Sequence, residues 1–388
     1  MKLKDLEKEF FEIFEETPSN AYISPGRVNL IGEHIDYNGG YVLPAAITYG
    51  SYGLIKIRDD NQIRAYSINF PDKGIIDINL SNIQYKKEDD WANFVKGTAK
   101  YFMNLTGEKS KGFDLLIYGN IPNGAGLSSS ASIELLIGII LNDINQSKLN
   151  RQDLVKIGQL TENKFIGVNS GIMDQFAVGM GQKDKAIFLN TDTLDYSVID
   201  ADFGDNLILI MNTNKQRKLS DSKYNQRRAE CDKALQIIQE HKRIKNLCEL
   251  SINDLQLIEQ LLEDKMLYQR VRHVVTENNR TILAKEALSN GDLIKFGELL
   301  DASHESLRND YDVTGLELDT LVGLARQQPG VLGSRMTGAG MGGCAIALIN
   351  KEEVNLAIQV ITQEYTDIIG YSPEMYIAEI GDGAKKIY

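Results

Sequence analysis

Residues 121–132 read IPNGAGLSSSAS, and their surroundings leave this segment few conformations. Upstream, GFDLLIYG (112–119) is a β-like run; downstream, Ile133, Leu136, Ile137, Ile140 and Leu141 form one apolar stripe at helical spacing. A strand therefore feeds a glycine- and serine-rich turn that feeds a helix. The first turn of a helix leaves backbone N–H groups unpartnered and carries the positive end of the helix dipole, so such a turn binds an anion without net positive charge. Gly124 and Gly126 let backbone approach a phosphate, and the serine hydroxyls can cap the helix, donate to an oxygen or reach a metal ion. Two glycines followed by three consecutive serines exceed what a plain cap needs. Gly-Lys-Ser/Thr occurs nowhere in the chain, so this is not the lysine-bearing Walker A loop.

Charge makes a backbone solution necessary. Lys plus Arg number 42 against 54 Asp plus Glu, a net charge of −12 that repels nucleic acid and anionic lipid. A phosphate-bearing substrate must then be met by local backbone donors, a metal ion or a few placed cations. At 388 residues, two packed domains are expected, and the patterning sets their boundary near residue 200. Before it, short glycine-punctuated strands dominate (YISPG, YVLPAAI, YGLIKIR, QIRAYSI, GIIDINL), with helices around 91–105 and 152–165. From LILIMNT (207–213) onward come long helices and then alternation of helix and strand, so the expected fold class is α+β in both halves rather than a doubly wound sheet.

Three scattered cysteines (Cys231, Cys248, Cys344) form no disulfide framework, and four separated histidines (His34, His241, His273, His304) disfavour zinc of the His/Cys type. The N-terminal MKLKDLEKEFFEIFEE is broken by acidic residues; Leu3, Leu6, Phe10, Ile13 and Phe14 read as the buried stripe of a packed helix. The longest apolar run, IELLIGIIL, is about half of what a bilayer crossing needs. A cytoplasmic chain without membrane or nucleic-acid partners is expected, acting as a monomer.

Two further segments are too glycine-rich and too specifically polar for core: SPGRVNLIGEHIDYNGGYVLP (24–44) and TGAGMGGCA (337–345). The first packs Arg27, Glu33, His34 and Asp36 into ten residues, the acceptors and donors that reading several hydroxyls requires. The second satisfies GxGxxG but precedes the β-like CAIALI, not a helix, so it is no Rossmann turn. Asp202-Phe203-Gly204 lacks every companion motif of a protein kinase. Asp174, between Met173 and Phe176, is a candidate half-buried carboxylate that a nearby arginine would orient for taking a proton. Glu162, on the polar side of its helix, reads from pattern alone as solvated surface.

These three segments, in this order, resemble the GHMP small-molecule kinases, and the likeness runs from about residue 20 to the C-terminus. The first motif is similar to the sugar-binding segment of the branch that phosphorylates galactose. The resemblance implies two α+β domains, 1–200 like ribosomal protein S5 domain 2 and 201–388 ferredoxin-like with added helices, with ATP and sugar meeting between them. It implies ATP-dependent phosphorylation of α-D-galactose at the C1 hydroxyl, an early step of galactose catabolism. By position, Asp174 is the implied catalytic aspartate and Arg27 its partner; Glu33, His34, Ile35, Asp36, Gly171, Asp174 and Tyr224 are implied at the sugar. Ser67, Gly124, Ala125, Gly126, Leu127, Ser128, Ser129 and Ser130 are implied at ATP, and Ser130 with Glu162 at Mg²⁺. Ile35 stands where the family usually has Thr. Ser130-Ala131-Ser132 is unbroken, unlike in family members that lack kinase activity.

Overall fold

The computed structural model describes residues 1–122, 126–215 and 220–388, with the backbone alone at 220–222. Its strands are β1 (Asn20–Asn29), β2 (Tyr41–Val42), β3 (Pro44–Ile57), β4 (Gln62–Ser67), β5 (Ile76–Asn79), β6 (Phe113–Gly119), β7 (Lys185–Asn190), β8 (Tyr196–Asp200), β9 (Asn206–Asn212), β10 (Val331–Thr337), β11 (Cys344–Asn350), β12 (Glu374–Ala378) and β13 (Lys385–Lys386). Its helices are α1 (Leu3–Phe14), α2 (Ala92–Thr106), α3 (Ser129–Asn145), α4 (Arg151–Leu160), α5 (Met173–Met180), α6 (Ser220–Gln239), α7 (Leu255–Leu261), α8 (Lys265–Ser289), α9 (Leu293–Ser306), α10 (Leu316–Arg326) and α11 (Val354–Ile369).

Three sheets organise these elements. A six-stranded sheet runs β13-β1-β3-β6-β4-β5, with β4 and β6 parallel and every other neighbouring pair antiparallel. A small sheet runs β2-β7-β8, and the second half is built on the antiparallel sheet β10-β11-β9-β12. The apolar stripe of α3 lies against β1 and β3 and among α2, α4 and α5. The α1 stripe buries Leu6, Phe10 and Phe14 on Ala21, Leu54 and Leu116 of the first sheet. In the second half α9 covers β10, and α10 packs on β10, β11 and α11.

The boundary expected near residue 200 falls between β8 and β9. One strand crosses it: β13 returns to the first sheet and pairs Lys386 with Tyr22 and Lys385 with Ile23. Two cores also cross it, one joining Leu135 and Leu136 of α3 to Leu209, Val271 and Leu321, the other joining Val28 and Leu43 to Ile210, Phe296 and Ile346. The helix expected through residue 165 ends at Leu160, and Thr161–Ile166 forms a π-helical turn. Among the described residues, no helix is long and apolar enough to cross a membrane.

Candidate active site

Strand β1 carries Arg27 inward from the sheet to the join between the halves. Arg27 as a whole is 4% exposed, and its guanidinium grips Asp174 with a fork, Nε to Oδ1 at 2.8 Å and Nη2 to Oδ2 at 2.6 Å, the two-point geometry that makes Arg–carboxylate pairs strong. Nη1 donates to the Gly126 carbonyl at 2.7 Å, tying the pair to the serine-rich turn. Burial opposes the charge on Arg27, but Asp174, Glu33 and Asp36 outweigh it and raise the pKa. Asp174 sits in the first turn of α5 and also accepts from Ser128 Oγ at 2.6 Å. It keeps a side-chain exposure of 28%, facing a cavity of about 160 Å³.

The turn after β1 forms one wall of that cavity. His34 holds a left-handed φ of +61°, costly for a residue with a side chain, and its carbonyl accepts from Asn38 Nδ2 at 3.1 Å. This conformation sets Glu33, His34 and Asp36 around one space. Asp36 takes the Tyr37 backbone N–H; burial first, and then the charges of Asp174 and Glu33, push its pKa up to about 7. Gly171 completes the wall because nothing larger fits: a Cβ there would lie 1.9 Å from Asp36 Oδ2. Tyr224 of α6 closes the opposite side, its ring 5.5 Å from that of His34. Gly338 and Ala339 of the third glycine segment form the back; at φ +85° Gly338 comes so near the Gly126 carbonyl that a Cβ would sit 2.9 Å from it.

Residues hundreds of positions away brace this wall. The Glu277 carboxylate of α8, fully buried, accepts from the Gly32 and Glu33 N–H groups at 3.0 and 3.1 Å, from Ser303 Oγ at 2.7 Å and from Arg280 Nε at 2.8 Å. Burial pushes its pKa up, but Arg280 leads the groups that outweigh it and hold it at about 2. His273 Nε2 lies 3.0 Å from the Glu33 carbonyl, and Arg335 of β10 donates to Glu33 Oε2 at 2.9 Å and to the Asn29 and Leu30 carbonyls.

The other side, around the start of α3, is built differently. Ser128 enters α3 at φ +63°, and Ser130 in the first turn donates to Glu162 Oε1 at 2.6 Å. The π-helical turn aims Glu162 inward, where Ser170 Oγ donates to its other oxygen at 2.5 Å. Glu162 is 8% exposed, and burial raises its pKa against the pull of those two hydroxyls. A buried carboxylate short of positive charge beside a serine oxygen fits a hard cation whose remaining ligands come from phosphates and water. Among the described residues, no three His, Cys, Asp or Glu side chains cluster as a metal site. Alongside lies a second cavity of about 180 Å³, lined by Ser67, Trp91, Phe94, Ile117, Ser129 and Ser130 among others.

The structure thus brings together Arg27, Glu33, His34, Asp36, Glu162, Gly171, Asp174 and Tyr224 in one cavity, and Ser67, Ser129 and Ser130 in its neighbour. One expected residue is corrected, and a second is narrowed to its backbone. Ile35 does not line this cavity; its side chain is fully buried in the core, packed beside Gly40. The Leu127 side chain is core, which leaves its backbone to the turn, and its carbonyl accepts the Arg27 N–H at 3.1 Å. Gly124 and Ala125 lie outside the described residues. Sequence reading did not single out Ser170, Arg335, Glu277, His273 or Ala339. Ala339 lies within the glycine segment 337–345, and the polarity of Arg335 within VLGSRMT was the other signal.

A guanidinium-gripped carboxylate beside a helix entered through serines, backed by a third glycine turn across two α+β halves, is the site of a GHMP kinase. Family models agree: the GHMP kinases N terminal domain matches residues 93–182, the GHMP kinases C terminal residues 284–367, and the galactokinase galactose-binding signature residues 8–57. A galactokinase of Enterococcus faecalis is 54% identical over 98% of both chains, and one of Streptococcus thermophilus 52% identical over 99% of both. The crystal structure of Lactococcus lactis galactokinase complexed with galactose superposes with a TM-score of 0.97 at 49% identity, over 99% of this chain and all of that one. Methanococcus jannaschii mevalonate kinase shares the fold at a TM-score of 0.66 and 18% identity, over 94% of this chain and 99% of that one. Within the GHMP kinases, the chain belongs to the galactokinases.

Proposed function

We propose that the chain transfers the γ-phosphoryl group of ATP to the C1 hydroxyl of α-D-galactose, giving α-D-galactose 1-phosphate and ADP. The observation that carries this is the Arg27–Asp174 fork: a carboxylate held at both oxygens, open to a cavity walled by hydroxyl-reading groups and tied through Gly126 to a phosphate turn. The C1 oxygen attacks the γ-phosphorus, the bond to the ADP oxygen breaks, and the C1 proton passes to Asp174. Arg27 orients the carboxylate and offsets charge on the group in flight. Glu33, His34, Asp36, Gly171 and Tyr224 fix the sugar so that C1 lies in line, which is where positioning contributes most of the rate.

ATP lies across the second cavity, its base near Ser67 and its phosphates along the turn of Gly124, Ala125, Gly126, Leu127, Ser128, Ser129 and Ser130. Ser130 and Glu162 would hold Mg²⁺, which when bound neutralises charge on the β- and γ-phosphates. The catalytic halves divide at 1–200 and 201–388, with the sugar between them. A coupled ADP-release assay with a panel of hexoses tests this reading: galactose-dependent release is expected, and a panel in which galactose gives none would sink it.

A further inference from the structure

Glu134 is the one charged residue that α3 buries, 1% exposed and one turn in from Ser130, and it lines neither the sugar cavity nor its neighbour. Facing it is Gln175, fully buried in the first turn of α5 and next in the chain to Asp174. Gln175 Nε2 donates to Glu134 Oε2 at 3.0 Å. Gly158 of α4 roofs the pair closely: a Cβ there would stand 2.9 Å from Gln175 Cγ and 3.2 Å from Glu134 Oε2.

Two atoms decide the chemical state of this pair. Glu134 Oε1 and Gln175 Oε1 are both sealed from solvent and, among the described residues, have no hydrogen-bond partner. An amide oxygen and an ionised carboxylate oxygen can only accept, and each buried orphan costs stability. A proton on Glu134 Oε1 would satisfy both: the acid O–H donates to Gln175 Oε1 while the amide N–H donates to Glu134 Oε2, and the pair closes on itself with two hydrogen bonds. The surroundings favour the acid. Burial first, and then the negative charges of Glu162 and Asp174, push the Glu134 pKa well above its ordinary value against the pull of the Gln175 bond.

The start of α3 presents Ser128 and Ser130, α5 presents Asp174, and Ser128 Oγ ties the Asp174 carboxylate to α3 at the mouth of the site. One tie between two helices is a pivot; a second, a turn deeper, fixes their angle. We propose that Glu134 and Gln175 are positioning residues: as a closed acid–amide pair they fix α5 on α3 and so hold Asp174 at its working distance from the phosphates. The proposal rests on the reading of Asp174 as proton acceptor. Because neither residue lines either cavity, loss of the pair leaves ligand binding alone and slows the transfer step, which is sensitive to misplacements of about 1 Å.

Infrared difference spectra are paired with kinetics and urea unfolding. At about pH 8, above the Asp36 value, wild type minus Glu134→Gln should show the C=O band of a carboxylic acid; a carboxylate band in its place overturns the acid–amide pair. Rates are read at saturating Mg²⁺, since Gln175 also draws the Glu162 pKa down against burial and its loss could otherwise act through the metal. Gln175→Leu should lower kcat about tenfold with the galactose and ATP KM values within about twofold. Glu134→Gln, the conservative variant, closes the same two bonds as amide with amide and should hold kcat within about threefold; a loss as large as that of Gln175→Leu overturns the proposal. The double variant Glu134→Leu with Gln175→Leu separates positioning from stability. Two matched apolar groups leave no polar orphan, so its urea midpoint should return towards wild type while kcat stays about tenfold low. A kcat that recovers with the midpoint reduces the pair to packing and overturns the proposal. If Gln175→Leu alone does not fold, the spectra and the double variant decide. A wild type without galactose-dependent ADP release overturns the Asp174 reading and the strut together, whereas an active wild type with a silent Gln175→Leu overturns the strut alone.

Discussion

The two sides of the site solve the same problem, holding a polar ligand in a net-acidic protein, by opposite means. The sugar side is made of side chains, each fixed by others from distant sequence: Glu277 and His273 hold the Glu33 peptide, and Arg335 holds its carboxylate. The phosphate side is made of backbone at the start of α3, with Ser130 and Glu162 as its polar side-chain pair. Discriminating one hydroxyl arrangement from another needs directional partners that cannot relax. Phosphate oxygens are alike and need only converging donors and a cation. Directionality is thus built where isomers differ, and generic electrostatics where they do not.

Breaking the element common to both sides should have the largest effect. Asp174→Asn keeps the shape and loses the proton acceptor, so kcat should fall by about 10²-fold or more, within the usual range of general-base contributions. Calorimetric titration should still find galactose and an ATP analogue bound; turnover within about threefold of wild type would strip Asp174 of its role.

The brace on the sugar side comes next. Glu277→Gln removes a buried charge with four donors and should lower stability by about 2–3 kcal/mol at neutral pH. The Glu277 pKa lies below its unfolded value, so the stabilisation is complete above about pH 4.5 and disappears as pH falls towards about 2. Urea unfolding of both proteins across that range should show the gap close; a gap independent of pH would mean the loss is one of packing.

Asp36→Asn sharpens the contrast through pH. Asp36 is protonated below about 7 and an ionised acceptor above it, so kcat/KM for galactose should rise as pH increases through that value. Asn should flatten the profile and cost roughly tenfold at its plateau, about 1.4 kcal/mol. A profile unaltered in shape would place the titrating group elsewhere.

The phosphate side should respond least to a single change, since its donors are shared. Ser130→Ala should lower kcat about fivefold, close to one hydrogen bond's worth, and raise the Mg²⁺ needed for half-maximal rate while sparing galactose affinity. Wild-type Mg²⁺ dependence in that variant would remove Ser130 from the metal site.

This contrast also explains what could be read from sequence. Arg27, Asp36 and Ser130 announce themselves because the polar groups and turn glycines that make them useful are adjacent in the chain. Glu277 and His273 lie on the buried face of an ordinary-looking helix, and their purpose exists only once α8 meets residues 32–33. Glu162 read as surface until family likeness corrected it, because helical periodicity assigns a face and a π-helical turn changes that face. Strand β10 went unread because Gly333 and the buried Arg335 break its alternation.

Strand β13 ties the order of synthesis to the order of completion. The edge of β1, the strand that bears Arg27, is closed by residues 385–388: Ile387 N–H donates to the Ala21 carbonyl at 2.7 Å and Ala21 N–H to the Tyr388 carbonyl at 3.2 Å. A growing polypeptide therefore presents that edge unpaired until residues 385–388 have left the ribosome, and an open strand edge is the usual template for misassembly. Nascent chains halted before residue 385 should be cut by protease near residues 20–23 and protected once residues 385–388 are available to pair; equal protection in both would show that β1 does not wait for this partner.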